Sequence, residues 1–574
     1  MSRAWTTHYD ADVPASLAPY PERTLVDYLD EMVAEKPTHT AAIFKGARLS
    51  CKALADQSRA FAAALADLGV GRGDRVALVL PNTPQLLVAQ YGIWRTGAIA
   101  VPLNPLYTPR ELETALRGTT PAAVVTMTPY YESIRGLQAV TGVRHVIATS
   151  IKEYLPALTR VLFTLAVEKK GGHRVRLDPS HHWFGDLLGR HAGSAGPDVT
   201  VAPSDPAVIL ASGGTTGTPK GVLGTHRDYV VAGQQLRTWT RPAREDWTDI
   251  VMLPLPMFHV YANVGVQSLA IIGRNPLALV PNPRDINDVL ATIQKLRPAC
   301  FNGVPTLYNA ILNHPKVKAG KVDLSSIKLC FSGAAPLLAE TKKQFEAATG
   351  ACIIEGYSLT EAMMATCINP VRGLQKPGSI GVPVSDVEVR IVDADNGDVE
   401  LAPGEVGELI LRAPQRMAGY WENPEETALV LREHGPGGPW VHTGDLAYRD
   451  TDGYLFIVDR KKDLIKVSGF QVWPREIEEV LATHPSVMEV GVAGVPDAAR
   501  GEVPHAWVVL RPGHQATADE LRAYCRERMT PYKVPAVIEF RDSLPKTLVG
   551  KILRRALRDT ATGRAASQPD AATA

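Results

Sequence analysis

At 574 residues the chain is long enough for at least two domains. Hydrophobic residues make up 45% and charged residues 21%, an ordinary soluble balance, and a formal net charge of +1 gives no bulk electrostatic signal for nucleic acid. The six cysteines, Cys51, Cys300, Cys330, Cys352, Cys367 and Cys525, lie far apart with no CxxC pair, which argues against a structural zinc site or a disulfide framework and fits a reducing cytoplasm.

The opening stretch MSRAWTTHYDADVPASLAPYPERTL has no apolar h-region, so no signal peptide is expected. No run reaches the roughly 18 to 20 apolar residues that a membrane span needs. From Cys51 to Val70 the apolar residues fall at helical spacing, and Asp74 to Pro81 is a short apolar run of buried-strand type. The helical QLLVAQYGIWRTG and the strand-like AIAVPL follow, and the runs Ala122–Met127 and Arg144–Ser150 repeat the theme. This alternation predicts α/β architecture: a large N-terminal domain of layered α/β subdomains around mostly parallel sheets. After about Gly381 the runs VEVRIVD, GELILR and YLFIVDR, separated by Gly/Pro turns, predict a β-rich lobe over about 381–461. PREIEEVLATH and ADELRAYCRERM then mark a small α+β domain over 462–560. The boundaries expected are therefore 1–461 and 462–560, with a disordered tail over 561–574.

Four stretches carry candidate chemistry. ASGGTTGTPKGV (Ala211–Val222) follows the apolar strand PAVIL, and its glycines, threonines and Lys220 have the makings of a phosphate cradle. It is not a Walker A loop, because Lys220 follows Pro219 and precedes Gly221; the bland alternative is a flexible surface turn. CIIEGYSLTE (Cys352–Glu361) runs from a strand into a polar turn, where Glu361 can hold a hard cation and Tyr357 offers a flat face to a base. Taken alone it is equally a helix start. In Trp440–Glu478, Asp445 occupies a Gly-Asp turn suited to ribose hydroxyls, and Arg460 with Lys461 and Lys462 follows a strand, against a solvated basic surface as the alternative. LPKTLVGKILRR sets Lys551 just after a glycine, a pattern that in isolation reads as surface decoration.

Together these stretches resemble the adenylate-forming superfamily: acyl-CoA synthetases, luciferase-like enzymes and peptide-synthetase adenylation domains. SGGTTGTPKG, GYSLTE, HTGD, DRKKDLIKVSGFQVWPREIEE and PKTLVGKI occur in the family's order, and the resemblance runs from about Pro21 to Arg558. It implies an ATP-dependent, AMP-forming acid–thiol ligase with Mg2+ as cofactor and ATP and CoA as substrates. A carboxylate attacks the α-phosphate to give acyl-AMP and pyrophosphate; a thiol then attacks the acyl carbon and AMP leaves. By resemblance, Thr215, Thr216, Gly217, Thr218 and Lys220 wrap the β- and γ-phosphates, Thr360 holds the α-phosphate, and Glu361, with Thr216, serves Mg2+. Tyr357 stacks on adenine, Gly333 and Ala334 of SGAAPL line the adenine and acyl sites, and Asp445 and Arg460 bind the ribose. Lys551 is the implied adenylation lysine, Lys462 the hinge of a mobile C-terminal domain, and Lys466 and Gly469 face the site in the thiol-transfer orientation. Two departures stand out: Gly213 replaces a frequent serine, and Val549 a frequent small polar residue.

The stretch LPLPMFHVYANVGVQSLAIIGRNPLALVPN is similar to the acyl-channel segment of fatty acyl-CoA synthetases, placing His259 beside the acyl carboxylate, and by the same resemblance FNGVPTLYNAIL (Phe301–Leu312) lines the acyl tunnel, with Gly303 leaving room for a chain. Val143–Val175 resembles an insertion of the long-chain enzymes. There Ile151, Tyr154, Leu155, Leu158, Val161, Leu162 and Leu165 fall at helical spacing, flanked by Lys152, Arg160, Lys169 and Lys170. Such a face suits an anionic membrane, the core of the fold, or a second subunit in a homodimer. The reading is a long-chain fatty-acid–CoA ligase, cytoplasmic or peripheral on the inner face of the membrane, with fatty acid, ATP and CoA as its partners and no nucleic acid. The alternatives are a medium-chain or aryl (4-coumarate-like) acyl-CoA ligase, a fatty acyl-AMP ligase loading a carrier protein, and a scaffold that has lost the chemistry.

Overall fold

The computed structural model of the chain describes residues 4–212, 220–468, 470–547 and 550–562. The chain divides into two compact units, Met1–Glu388 with Arg412–Val441, and Val389–Leu411 with His442–Ala574. Thr215, Thr216, Gly217, Thr218, Gly469, Gly213 and Val549 lie outside the described residues, as does the expected tail from residue 563 onward.

The first unit is built on two sheets. Among the described residues one has nine strands, in the order Val382–Pro383, Met364–Ile368, Cys352–Leu359, Leu329–Ser332, Cys300–Gly303, Val251–Leu253, Leu277–Leu279, Thr40–Phe44 and Ala47–Ser50. Its centre is parallel and its ends are antiparallel. The other has eight, in the order Gly419–Tyr420, Lys220–Thr225, Pro206–Ser212, Ile99–Pro102, Arg75–Val79, Ala123–Met127, His145–Thr149 and His182–Trp183. It too is parallel through its interior. The interior strands Arg75–Val79, Ile99–Pro102, Ala123–Met127 and His145–Thr149 are nearly continuous apolar runs with almost every residue buried, the pattern of parallel strands covered on both faces.

The helix Pro84–Arg95 shows how the layers join. Its N-terminus carries proline in the first turn, and every residue from Pro84 to Trp94 is buried. Asn82, just ahead of it, donates to the carbonyls of Leu253 and Leu255 in the nine-stranded layer. Gln85 donates to Ser150 O, and the Trp94 indole donates to Ala207 O, both on the eight-stranded side. The helix is thus pinned between two sheets, and Gln90 bonds Asn263 at 2.9 Å to tie in the segment that follows Val251–Leu253. The predicted helix over Cys51–Val70 is observed as Cys51–Asp67, with Ser50 capping the Ala53 N–H.

The second unit contains a sheet in the order Glu388–Val392, Gly407–Arg412, Trp440–Arg449, with Leu455–Arg460 antiparallel on the last of these. A second sheet runs Phe470–Val472, Ile465–Val467, Gly501–Leu510, Val487–Asp497, with Val537–Phe540 parallel on Gly501–Leu510. Helices Pro474–Ala482 and Ala518–Arg526 close its core around Ile477, Leu481, Val492, Val508 and Leu521. The expected boundary at 461/462 falls inside this unit. Asp459, ahead of it, accepts from the Arg475 N–H at 2.8 Å and from Arg554 at 2.6 Å, both beyond it. Among the described residues no helix is long and apolar enough to cross a membrane.

Candidate active site

Lys220 opens the strand Lys220–Thr225, and Ser212 pairs with it across the hairpin. Its ammonium lies 2.5 Å from Glu426 Oε2 and 5.0 Å from the centre of the Tyr420 ring. Tyr420 is held there because Gly419–Tyr420 adds to the edge of the same sheet, opposite Leu223 and Val222. Glu426 sits in the first turn of the helix Pro424–Val430, its N–H donating to the Asn423 cap. The Tyr420 hydroxyl donates to Glu361 Oε1 at 2.8 Å, and the Met417 N–H donates to the Glu361 carbonyl at 2.9 Å. Burial, with the Glu361 carboxylate beside it, raises the pKa of Tyr420 well above its ordinary value, so the phenol stays a donor. The cation of the glycine-rich motif and the acid of GYSLTE therefore share one tyrosine.

Tyr357, half-buried, lies on the strand Cys352–Leu359 opposite Cys367. The chain then tightens into a single helical turn, Thr360–Ala362, with Thr360 buried and Glu361 half-buried. Gly333 and Ala334 follow the neighbouring strand Leu329–Ser332; Ala334 has φ +67°, and a Cβ at Gly333 would stand 3.2 Å from the Tyr261 ring. Tyr261 begins a π-helix over Tyr261–Val266, inside the stretch that the resemblance assigns to the acyl channel, and the chain continues as the α-helix Gln267–Ile272. His259, half-buried just ahead of it, accepts the Tyr261 N–H on Nδ1 at 3.3 Å. At Gly303, the space a side chain would take is filled by the rings of Tyr308 at 2.8 Å and Phe301 at 3.1 Å. The glycine thus makes room for two aromatic rings.

In the second unit, Asp445 and Arg460 face each other across the antiparallel pair Trp440–Arg449 and Leu455–Arg460, with Nε 3.2 Å from Oδ1. Gly444, at φ +68°, makes the left-handed turn that sets up Asp445, and its N–H donates to Glu408 at 3.2 Å. Lys551 lies among the same charges. Burial pushes its ammonium down to about 8; Arg460 and Arg554 add to the depression, while Asp445 and Asp463 oppose it. Lys462 is exposed in the helical turn Lys461–Asp463. Lys466 stands apart from the Lys551 cluster: it is exposed on the strand Ile465–Val467, its N–H bonded to Glu502 at 2.9 Å.

The family model for AMP-binding enzymes matches residues 29–421, and the model for the AMP-binding enzyme C-terminal domain matches residues 476–551. The chain belongs to the AMP-binding enzyme family. This AMP-binding enzyme is 39% identical over 564 residues to a long-chain-fatty-acid–CoA ligase of Bacillus subtilis (strain 168), covering 98% of each chain. It is 38% identical over 573 residues to a long-chain-fatty-acid–CoA ligase of Escherichia coli O157:H7, covering 98% of this chain and 99% of the relative. Among solved structures it is similar to the anthranilate CoA ligase AuaEII in complex with anthranoyl-AMP, with TM-score 0.81 and 29% identity, over 96% of this chain and 100% of that one.

The sequence reading missed Tyr420 and Glu426, which hold Glu361 and Lys220. Both arrive through a two-residue edge strand far along the chain, and no local spacing signals that. The amphipathic stripe also needs correction. Ile151–Tyr154 is a short helical turn, Pro156 interrupts, and the α-helix runs only over Ala157–Ala166. Leu155 is buried and the Tyr154 hydroxyl bonds Gln57, so the first half of the stripe faces inward. Leu158 is 74% exposed, Leu165 80%, and Val161 and Leu162 more than half, so the second half faces solvent.

Proposed function

We propose that the chain is a long-chain fatty-acid–CoA ligase that forms acyl-AMP and pyrophosphate from a fatty acid and ATP, then passes the acyl group to CoA with release of AMP. One observation carries this reading: the chain matches long-chain ligases end to end while Asp445, Arg460 and Lys551 share one electrostatic environment. The first step joins two anions, so the protein's task is charge neutralisation and alignment. Lys220 contributes a cation to the terminal phosphates, and Lys551 one to the carboxylate and α-phosphate. The carboxylate oxygen bonds to the α-phosphorus as the bond to pyrophosphate breaks, and pyrophosphate leaves with the electron pair. In the second step the CoA sulfur bonds to the acyl carbon and AMP departs with its oxygen.

The donor set suits Mg2+ that arrives with ATP. Among the described residues no cluster of three or more His, Cys, Asp or Glu could hold a metal, and Glu361 offers a single carboxylate oriented by Tyr420. Magnesium is typically bound by one or two carboxylates plus substrate phosphates rather than by a protein cage. When bound, it neutralises phosphate charge; Glu361 is the residue that would hold it.

The exposed face of Ala157–Ala166 supports peripheral contact with an anionic lipid surface. Leu158, Val161, Leu162 and Leu165 form an apolar strip, with Arg160, Lys169 and Lys170 exposed around it. Converting Leu158 and Leu162 to glutamate should abolish co-sedimentation with phosphatidylglycerol vesicles while leaving ATP turnover on a soluble short acid intact. Unchanged sedimentation would refute lipid contact, and a shift from dimer to monomer in the same variant would assign the face to a second copy of the chain. The catalytic test is AMP and pyrophosphate release with Mg2+-ATP, across acids from acetate to oleate plus coumarate, each with and without CoA. CoA-dependent turnover peaking at long chains is expected. A peak on coumarate would refute the acid class, and CoA-independent release would refute the thiol acceptor.

A further inference from the structure

Arg554 is the most heavily engaged cation near Lys551. It opens the helix Arg554–Ala561, three residues after Lys551. Its Nε and Nη2 grip the Glu478 carboxylate at 3.0 and 2.6 Å, a bidentate pair, while Nη1 reaches Asp459 Oδ1 at 2.6 Å and Asp463 Oδ2 at 3.4 Å. The Asp459 side chain is only 2% exposed. It also accepts the Arg460 N–H and the Arg475 N–H, each at 2.8 Å, the latter from the first turn of the helix Pro474–Ala482. Burial works against the Arg554 charge, but Glu478 and Asp459 outweigh it and hold the guanidinium above its ordinary value.

These partners sit on two sides of Lys462. Asp459 is on the strand Leu455–Arg460, next to the residue that meets Asp445. Arg475, Glu478 and Arg554 all come after the turn Lys461–Asp463. A rotation at Lys462 would carry the Glu478–Arg554 pair along intact and strip both Arg554 and Arg475 from Asp459. Glu478 therefore fixes the shape of the guanidinium, and Asp459 is the contact that opens.

We propose that Arg554 and Asp459 form a releasable ionic clasp, set by Glu478, that holds Lys551 beside Asp445 and Arg460 and so tunes the balance between adenylate formation and thioester formation. The proposal rests on the ligase reading with a hinge at Lys462. Both residues are positioning residues, acting on the chemistry through Lys551. A broken clasp has a signature that structural damage lacks: the two half-reactions move in opposite directions.

The test uses the full chain and two assays, acyl-hydroxamate formation from fatty acid and Mg2+-ATP for the first step, and acyl-CoA formation from supplied acyl-AMP for the second. Asp459→Asn should slow the first about tenfold and leave the second unchanged or faster, and Arg554→Lys, which keeps a charge but loses the bidentate grip, should show a smaller shift of the same sign. Exposed Lys461 and Lys462 should also be cut faster by trypsin in Asp459→Asn. Parallel loss in both assays, or no change in either, overturns the clasp. Lys551→Ala separates the two levels: loss of the first step alone keeps the ligase reading standing whatever Asp459 does, and equal loss of both overturns that reading and the clasp with it.

Discussion

With Lys551 as the proposed adenylating cation, its depressed ammonium should make adenylate formation fall off in a pH range where free lysine would show nothing. In the free enzyme its value of about 8 leaves the side chain about 91% protonated at pH 7 and about 9% at pH 9, so the cation available for the proposed adenylation step falls roughly tenfold across that interval. The stability effect has the opposite slope. The folded value lies below the unfolded one of 10.5, so the cost of confining the charge is fully present below pH 8 and is relieved as pH rises from 8 toward 10.5. Loss of activity above pH 8 therefore cannot be laid to unfolding through this group. The assay is the pH dependence of kcat/KM for ATP in the first half-reaction, with hydroxylamine trapping the adenylate. A descending limb near 8 is expected for free enzyme, with a higher limb in kcat, because bound phosphates favour the cation. Since Arg460 depresses Lys551, Arg460→Gln should move the limb upward, and Asp445→Asn should move it downward. A limb that stays in place in both variants would refute the assignment.

Two further outcomes follow from the first unit. Tyr420→Phe removes the hydrogen bond that orients Glu361, a charge-assisted contact of a kind worth about 1.5–3 kcal/mol, so kcat/KM for Mg2+-ATP should fall about tenfold, with a modest drop in the thermal transition; an unaltered Mg2+ dependence would show that Glu361 is oriented by other contacts. Gly303→Ala should cost about 1–3 kcal/mol in denaturant unfolding, because the new Cβ would stand 2.8 Å from a Tyr308 ring that is itself tied by its hydroxyl to the Phe331 carbonyl, and wild-type stability would mean that the ring can move.

What could be read from the sequence follows the range of the interactions involved. The alternating apolar runs in Arg75–Val79, Ile99–Pro102, Ala123–Met127 and His145–Thr149 are strands where expected, because burial on both faces writes the same local pattern each time. Lys220, Glu361, Asp445, Arg460 and Lys551 stand out because turns and strand ends that expose a functional group need glycine and hydroxyl residues around them. Their partners were not legible. Tyr420 reaches Glu361 across 59 positions, Glu426 reaches Lys220 across 206, and Arg554 reaches Asp459 across 95, and no periodicity spans such distances.

The insertion around Ala157–Ala166 shows the limit of periodicity from the other side. Seven apolar residues at helical spacing read as one face, but Pro156 splits them: it lacks the N–H that would continue the preceding turn and biases Leu155 toward an extended backbone. The chain changes direction there, so Tyr154 and Leu155 are spent on the fold while Leu158, Val161, Leu162 and Leu165 remain outside it. A stripe that served only packing would have no reason to expose its larger half. The division makes the proline the element that separates a structural anchor from an exposed apolar strip, the surface proposed above to meet lipid. For the same reason substitutions at Leu158 and Leu162 should leave intact the Tyr154 and Leu155 contacts that hold this segment in place.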